Sequence, residues 1–334
     1  MNRRYTIIFA LAFAVLFATG CQEKEPGAKR FAFVTNGAVD FWKIAEAGAM
    51  QAEEDFGIEV SVLMPGSLTH QKQMIEDALT RGMDGIAVSP IDPENQTDML
   101  NQVAASTLLL THDSDAPDSD RLAYIGVDNY TAGRLCGDLV REALPGGGEV
   151  MIFIGRMEQD NARKRRQGVI DAILERPVDP DQFDPPGEVI EGEKYTILGT
   201  LTDALDLSQA KANAEDALSR YPDLDAMVGL FAYNPPAILQ ALEQAGKTGE
   251  VEVIGFDEQD ETLAGIQEGT VHGTVVQDPF AYGYESMKLL NEIANGDRTG
   301  LENGEIISIS GRQIREDNVE AFWTDLKEKI GKGQ

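Results

Sequence analysis

The 334-residue chain is poor in cysteine, histidine and basic charge, with two cysteines, three histidines and 28 Lys plus Arg against 57 Asp plus Glu. Each shortage excludes something. Two cysteines are too few for a disulfide framework, and Cys136 sits in a helical pattern that reads as a small buried apolar side chain. His70, His112 and His272 are far apart and show no metal-ligand spacing, which argues against a zinc site and any other metal centre. Only His112, beside Asp113, is placed to line a cleft. A net charge of −29 repels phosphate backbones, so nucleic acid is excluded as a partner. Gly146-Gly147-Gly148 lacks a following Lys-Ser or Lys-Thr and is a turn, not a phosphate loop. No Gly-x-Ser-x-Gly elbow occurs. No motif here calls for a cofactor, and none is expected; paired carboxylates of the glycosidase kind stay open at this point.

Long apolar runs are also missing. The longest, Ile7 to Ala18, is shorter than the roughly 20 residues a spanning helix needs, and it follows Arg3 and Arg4. That order is the pattern of a secretory signal peptide. The run closes on Ala18-Thr19-Gly20-Cys21, which looks like a bacterial lipobox with Cys21 as the lipidated residue, although Leu is more usual than Ala at position 18. The expectation is an exported chain, in the periplasm or at the cell surface, held to a bacterial membrane by acyl chains. Residues 1–21 would be signal peptide and lipobox, and 22–29 a polar linker.

What is abundant is βα rhythm. Strand patterns fall at 31–35, 60–64, 85–89, 108–113 and 122–127, with helical periods at 41–56, 70–81 and 93–105. The rhythm restarts after Asn129. Helices are expected at 131–143, 161–174, 208–220, 235–245 and 281–294, and strands at 150–154, 196–200, 226–231, 251–256, 271–276 and 306–309. Two successive sets predict an α/β chain of two doubly wound parallel-sheet lobes. Val319, Phe322, Trp323, Leu326 and Ile330 form one helical stripe, so the tail should dock.

Ligands in open α/β sheets bind beyond the carboxyl ends of the strands. Those ends carry Thr35-Asn36, Ser89-Pro90, His112-Asp113, Asp128, Gly155-Arg156, Asp203, Phe231, Asp257 and Gln277-Asp278. Carboxylates and amides suit hydroxyl groups, and rings such as Phe41, Trp42 and Phe231 cover the C–H face of a sugar.

At these positions the chain resembles the type I periplasmic binding proteins, in particular the ribose-binding-like group that serves ABC sugar importers. The resemblance runs from about Arg30 to Arg312. Its markers are Phe41-Trp42, Ala87-Val88-Ser89-Pro90, Thr111-His112-Asp113-Ser114, Tyr124-Ile125-Gly126-Val127-Asp128-Asn129, Asn161-Ala162-Arg163, Val253-Ile254-Gly255-Phe256-Asp257 and Gly273-Thr274-Val275-Val276-Gln277. It implies a three-crossing hinge near Asp128, Gln277 and Glu305. The N-terminal lobe would comprise 30–128 plus 278–305, the C-terminal lobe 129–277 plus 306–312, and the helical tail 313–334. It further implies a monomer that is not an enzyme, binds a monosaccharide or small polyol and delivers it to a permease driven by a cytoplasmic ATPase. The alternative is a sensor that presents ligand for chemotaxis or signalling, including autoinducer-2-like ligands. Matched by position, Phe41 and Trp42 stack on the sugar, Asp113 receives hydroxyls, and Arg163, Asp257 and Gln277 form the second-lobe clamp. Thr35 adds a hydroxyl, Phe231 a third ring, and Asn234 reaches back into the cleft. A pentose-binding member would carry Asn near Val39, Arg at Ser114 and Asn near Phe231, so ribose is not the expected sugar.

Overall fold

The computed structural model describes residues 27–301 and 306–332. The signal peptide, the lipobox and Cys21 lie outside the described residues. The first βα set is β1 (Arg30–Val34), α1 (Asp40–Phe56), β2 (Glu59–Leu63), α2 (Leu68–Thr80), β3 (Gly85–Val88), α3 (Pro93–Ala104), β4 (Leu108–His112) and β5 (Ala123–Gly126). β3 and β5 are wholly buried and β1 and β4 nearly so, which is why they read as unbroken apolar runs. Helix starts carry their own signals. Ser67 and Asp92 accept the backbone N–H groups of His70 and Asn95, and Pro93 opens α3.

The second set begins with α4 (Asn129–Ala143) and β6 (Gly148–Ile154), followed by α5 (Asp160–Ile173), β7 (Ile190–Glu191), β8 (Tyr195–Thr202) and α6 (Leu207–Arg220). It continues with β9 (Ala226–Gly229), α7 (Asn234–Ala245), β10 (Glu252–Phe256), α8 (Asp260–Glu268) and β11 (Gly273–Val276). α9 (Pro279–Ala294), β12 (Ile306–Ser308), β13 (Arg312–Ile314) and α10 (Val319–Lys332) follow.

The strands form two sheets, ordered β2-β1-β3-β4-β5-β12 and β7-β8-β6-β9-β10-β11-β13. All pairings are parallel except the two antiparallel edge pairs β7/β8 and β11/β13. The inner order is the same in both lobes, with β1, β2, β3, β4 and β5 answered by β6, β8, β9, β10 and β11. This is the two-lobed α/β architecture expected from the rhythm.

The helices that follow the hinge change lobes. α4 leaves the first sheet and packs on α5, while α9 leaves the second and packs on α1. Both pairs approach until backbones touch, through Gly133 with Gly168 and Gly48 with Gly283. A Cβ at any of these four would run into a carbonyl oxygen of the facing helix.

One boundary needs correction. Residues 306–312 were expected with the second lobe, but Ile306–Ser308 pairs parallel with β5 at the edge of the first sheet, and Ile307 packs into that lobe's core. The third crossing is therefore at 309–311, past the place near Glu305 where it was expected. Arg312–Ile314 then joins β11 in the second sheet, so the second lobe extends into the segment assigned to the tail. The apolar face of α10 (Val319, Phe322 and Leu326, with Trp323 and Ile330 beside them) packs on the second lobe's core.

Candidate ligand-binding site

A narrow cavity, part of it open to solvent, lies between the carboxyl ends of the two sheets. Asn36, Val39, Phe41, Trp42 and Asp113 line it from the first lobe, and Asn161, Arg165, Leu205, Phe231 to Tyr233, Asp257 and Gln277 from the second.

Its two carboxylates occupy equivalent places. Asp113 follows β4 and Asp257 follows β10, both with left-handed backbone (φ 57° and 68°). Each donates its N–H to the neighbouring strand, to Ile125 O (3.1 Å) and Val275 O (2.7 Å). Asp is among the few residues that tolerate this conformation, and strain of this kind gathers at binding sites.

Asp113 Oδ2 accepts from Asn36 Nδ2 (3.1 Å), Ser89 Oγ (3.1 Å) and, across the cleft, Asn161 Nδ2 (3.0 Å). Asp257 Oδ1 accepts from Gln277 Nε2 at 2.6 Å. Gln277 Oε1 accepts from the Tyr282 hydroxyl, which itself accepts from Val127 N–H, so this network ties two hinge crossings together. Burial raises the pKa of both aspartates, opposed chiefly by the positive charge of Arg165.

Arg165 is the buried cation of the site, 1% exposed. Its guanidinium lies 3.8 Å over the Phe256 ring and 4.0 Å from Asp257 Oδ2. Nε and one terminal nitrogen donate to Asn129 Oδ1 (3.2 and 2.8 Å), and the other donates to Leu230 O (2.8 Å). These contacts fix the plane of the guanidinium and leave donors for a ligand.

Rings supply the first-lobe wall. Phe41 and Trp42 meet edge to face at 5.0 Å, and Trp42 Nε1 donates to Asn36 Oδ1. The structure thus brings Phe41, Trp42, Asp113, Phe231, Asp257 and Gln277 together around one space.

It does not bring the other three. Arg163 points to the rim, where it pairs with Glu94 of the first lobe (3.1 Å) and faces Asp160 (3.8 Å). The cavity cation is Arg165, half a turn further along α5. Thr35 Oγ1 donates to Gly37 O and Leu63 O and shapes the turn after β1. Asn234 accepts from Phe231 N–H and donates to Asp203, bracing the loop behind Phe231. His112 is in the core instead of the cleft, stacked on Phe33 at 4.0 Å with its pKa pushed down to about 3 by burial. Sequence reasoning also missed Leu205, Ala232 and Tyr233, and it named Val39 and Asn161 only as positions that family members use. Asn161 and Arg165 are four residues apart, so they share one face of α5, and that spacing could have found Arg165.

The lobes are closed. Besides Asn161–Asp113 and Arg163–Glu94, Arg156 donates to Asn36 O at 3.3 Å, and Leu205 reaches across to Gly37.

Comparison with known proteins points the same way. Residues 31–298 match the model of the periplasmic binding protein domain. The ribose import binding protein of Salmonella typhimurium is 22% identical over 305 residues, covering 89% of this chain and 94% of its own. The D-allose-binding periplasmic protein of Escherichia coli is 24% identical over 262 residues, 75% of this chain and 79% of its own. A solute-binding protein of an ABC transporter from Burkholderia graminis, solved in complex with D-arabinose, is 27% identical with a TM-score of 0.78, covering 88% of this chain and 98% of its own.

Proposed function

The chain belongs to the periplasmic binding protein domain family, and from that premise we propose that it binds a monosaccharide between its lobes and delivers it to an ABC permease. The observation that carries the reading is the matched pair Asp113 and Asp257, facing one cavity with Arg165 beside them and aromatic rings on the wall. Carboxylates and a fixed guanidinium bind hydroxyls strongly because one partner is charged. Aromatic faces cover the C–H surface of the ring. Relatives named for ribose and allose, and a neighbour solved with D-arabinose, support the same class of ligand.

A ligand that touches both lobes stabilises the closed form by its differential affinity for that form. A thermal-shift and calorimetry panel of pentoses, hexoses, deoxysugars and polyols tests this, because a bound ligand raises the melting temperature by mass action. Asp113→Asn and Asp257→Asn keep a residue that tolerates left-handed backbone, so they should fold normally. Each should cost the best sugar about 1.5–3 kcal/mol, roughly ten- to a hundredfold in Kd. Full affinity in both variants would place the site elsewhere.

Export and anchoring at Cys21 belong to the same proposal, supported by the apolar run and its small-residue ending. Cells expressing the full chain should incorporate labelled palmitate into it, and a Cys21→Ser variant should not. Equal labelling of both would remove the anchor.

A further inference from the structure

The cavity is divided. On one side Asp113 is bonded to Asn161 across the cleft, and Asp257 is bonded to Gln277 beside Arg165. The Asp113 carboxylate takes its bonds from Asn36, Ser89 and Asn161 on Oδ2, and Asp257 uses Oδ1 for Gln277. Asn161 Oδ1 is buried without a partner. This half offers several acceptors and the remaining guanidinium donors, enough for a cluster of hydroxyls.

The other half offers nothing of the kind. Val39, Leu205 and Phe231 pack on one small apolar cluster with Tyr233, and Phe231 forms the border with the polar half, its ring 5.7 Å from the Arg165 guanidinium. The hydrogen-bond donors at this end and along its border are already engaged. The Tyr233 hydroxyl donates to Asp203 at 2.6 Å. The backbone N–H and C=O of Phe231 both bond to Asn234. Trp42 Nε1 and both hydrogens of Asn36 Nδ2 are taken within the first lobe. A hydroxyl placed against this wall loses water and finds no free donor there.

The backbone shows that the apolar wall is built. Ala204 and Leu205 are both left-handed (φ 55° and 68°), an unfavourable state for Leu that carries its side chain across the cleft to Gly37. Asn would adopt that backbone more readily and would supply a donor.

We propose that the ligand is a deoxy monosaccharide, with its hydroxyls gathered on the edge facing Asp113, Arg165 and Asp257 and an alkyl group on the edge facing Val39, Leu205 and Phe231. This rests on the monosaccharide reading above and narrows it.

The test is titration calorimetry on the purified protein with matched pairs: L-fucose with L-galactose, D-fucose with D-galactose, L-rhamnose with L-mannose and D-quinovose with D-glucose. In at least one pair the deoxy sugar should bind about ten- to a hundredfold tighter, the range in which an apolar pocket rejects an added hydroxyl. Leu205→Asn should shrink that ratio by about tenfold or more, and the ratio is the readout because a change in lobe closure alters both sugars alike. Parent sugars that bind as tightly as their deoxy partners in every pair overturn this inference and leave monosaccharide binding standing. A preferred deoxy sugar whose ratio is unchanged in Leu205→Asn also overturns it, since the apolar wall would not be the cause. No binding by any sugar, parents included, removes both readings.

Discussion

Arg165 faces two carboxylates across a few ångströms of low-dielectric space, and its single positive charge does not neutralise both. Burial raises the pKa of Asp113 and of Asp257, and Arg165 only partly offsets it. For a carboxylate with a raised folded pKa, the stability gained by holding the proton is full below the unfolded value of about 4 and is lost as pH rises through the folded value. Sugar hydroxyls donating to these oxygens favour the ionised form, so binding expels protons. Calorimetry should therefore show affinity falling from about pH 7 to about pH 5, with an observed binding enthalpy that varies linearly with buffer ionisation enthalpy as protons are released. An affinity that is flat over that range would mean the carboxylates do not receive the ligand. The identity of the cation shows how far single residues were legible. Arg163, Lys164, Arg165 and Arg166 are four consecutive cations, and composition cannot say which one turns inward. Helical phase can, because Arg165 repeats the face of Asn161, while Arg163 falls toward the rim.

At the scale of elements, much was readable because buried parallel strands are continuous apolar runs and helices announce their caps. Asp113 and Asp257 were found by topology, as the residues just past strand ends. What failed was pairing. The run 306–309 has no direction of its own, and only the open edge of β5 assigns it to the first sheet. β7 and β13 are two and three residues long and take their register from a neighbour, so no periodicity marks them. The two helix swaps were also invisible, though their glycines were on view. Gly283 lies against the backbone of α1 at Ala45, so Gly283→Ala must push α1 and α9 apart. Overpacking of this kind should lower stability by about 1–3 kcal/mol in urea unfolding. Gly146→Ala, in an open turn with nothing near its Cβ, should stay within about 0.5 kcal/mol. Equal stability of the two variants would mean that the helix pair is not tightly seated.

For the whole molecule, the question is what holds the lobes shut. Closure places Asp113 and Asp257 in one cavity, so the unliganded closed form carries unfavourable like charge that a ligand's hydroxyls relieve. Rim contacts oppose the opening, and Arg163–Glu94 is the one that links α5 to α3 directly. Its strength follows from its exposure, since the Glu94 side chain is 74% exposed and that of Arg163 32%. Exposed pairs contribute about 0.2–1 kcal/mol and weaken in salt. Because measured affinity includes the cost of closing, loss of this pair should raise Kd by only about 1.5- to 5-fold. Arg163→Ala and Glu94→Ala should act alike, add nothing to each other when combined, and converge with the parent at high salt. A direct sugar contact by Arg163, which the family resemblance implies, predicts something else. Arg163→Ala would then cost tenfold or more at any ionic strength, and Glu94→Ala would cost little. A thermodynamic cycle over the two single variants and the double variant, run at low and high salt, separates a latch on the rim from a ligand in the cavity.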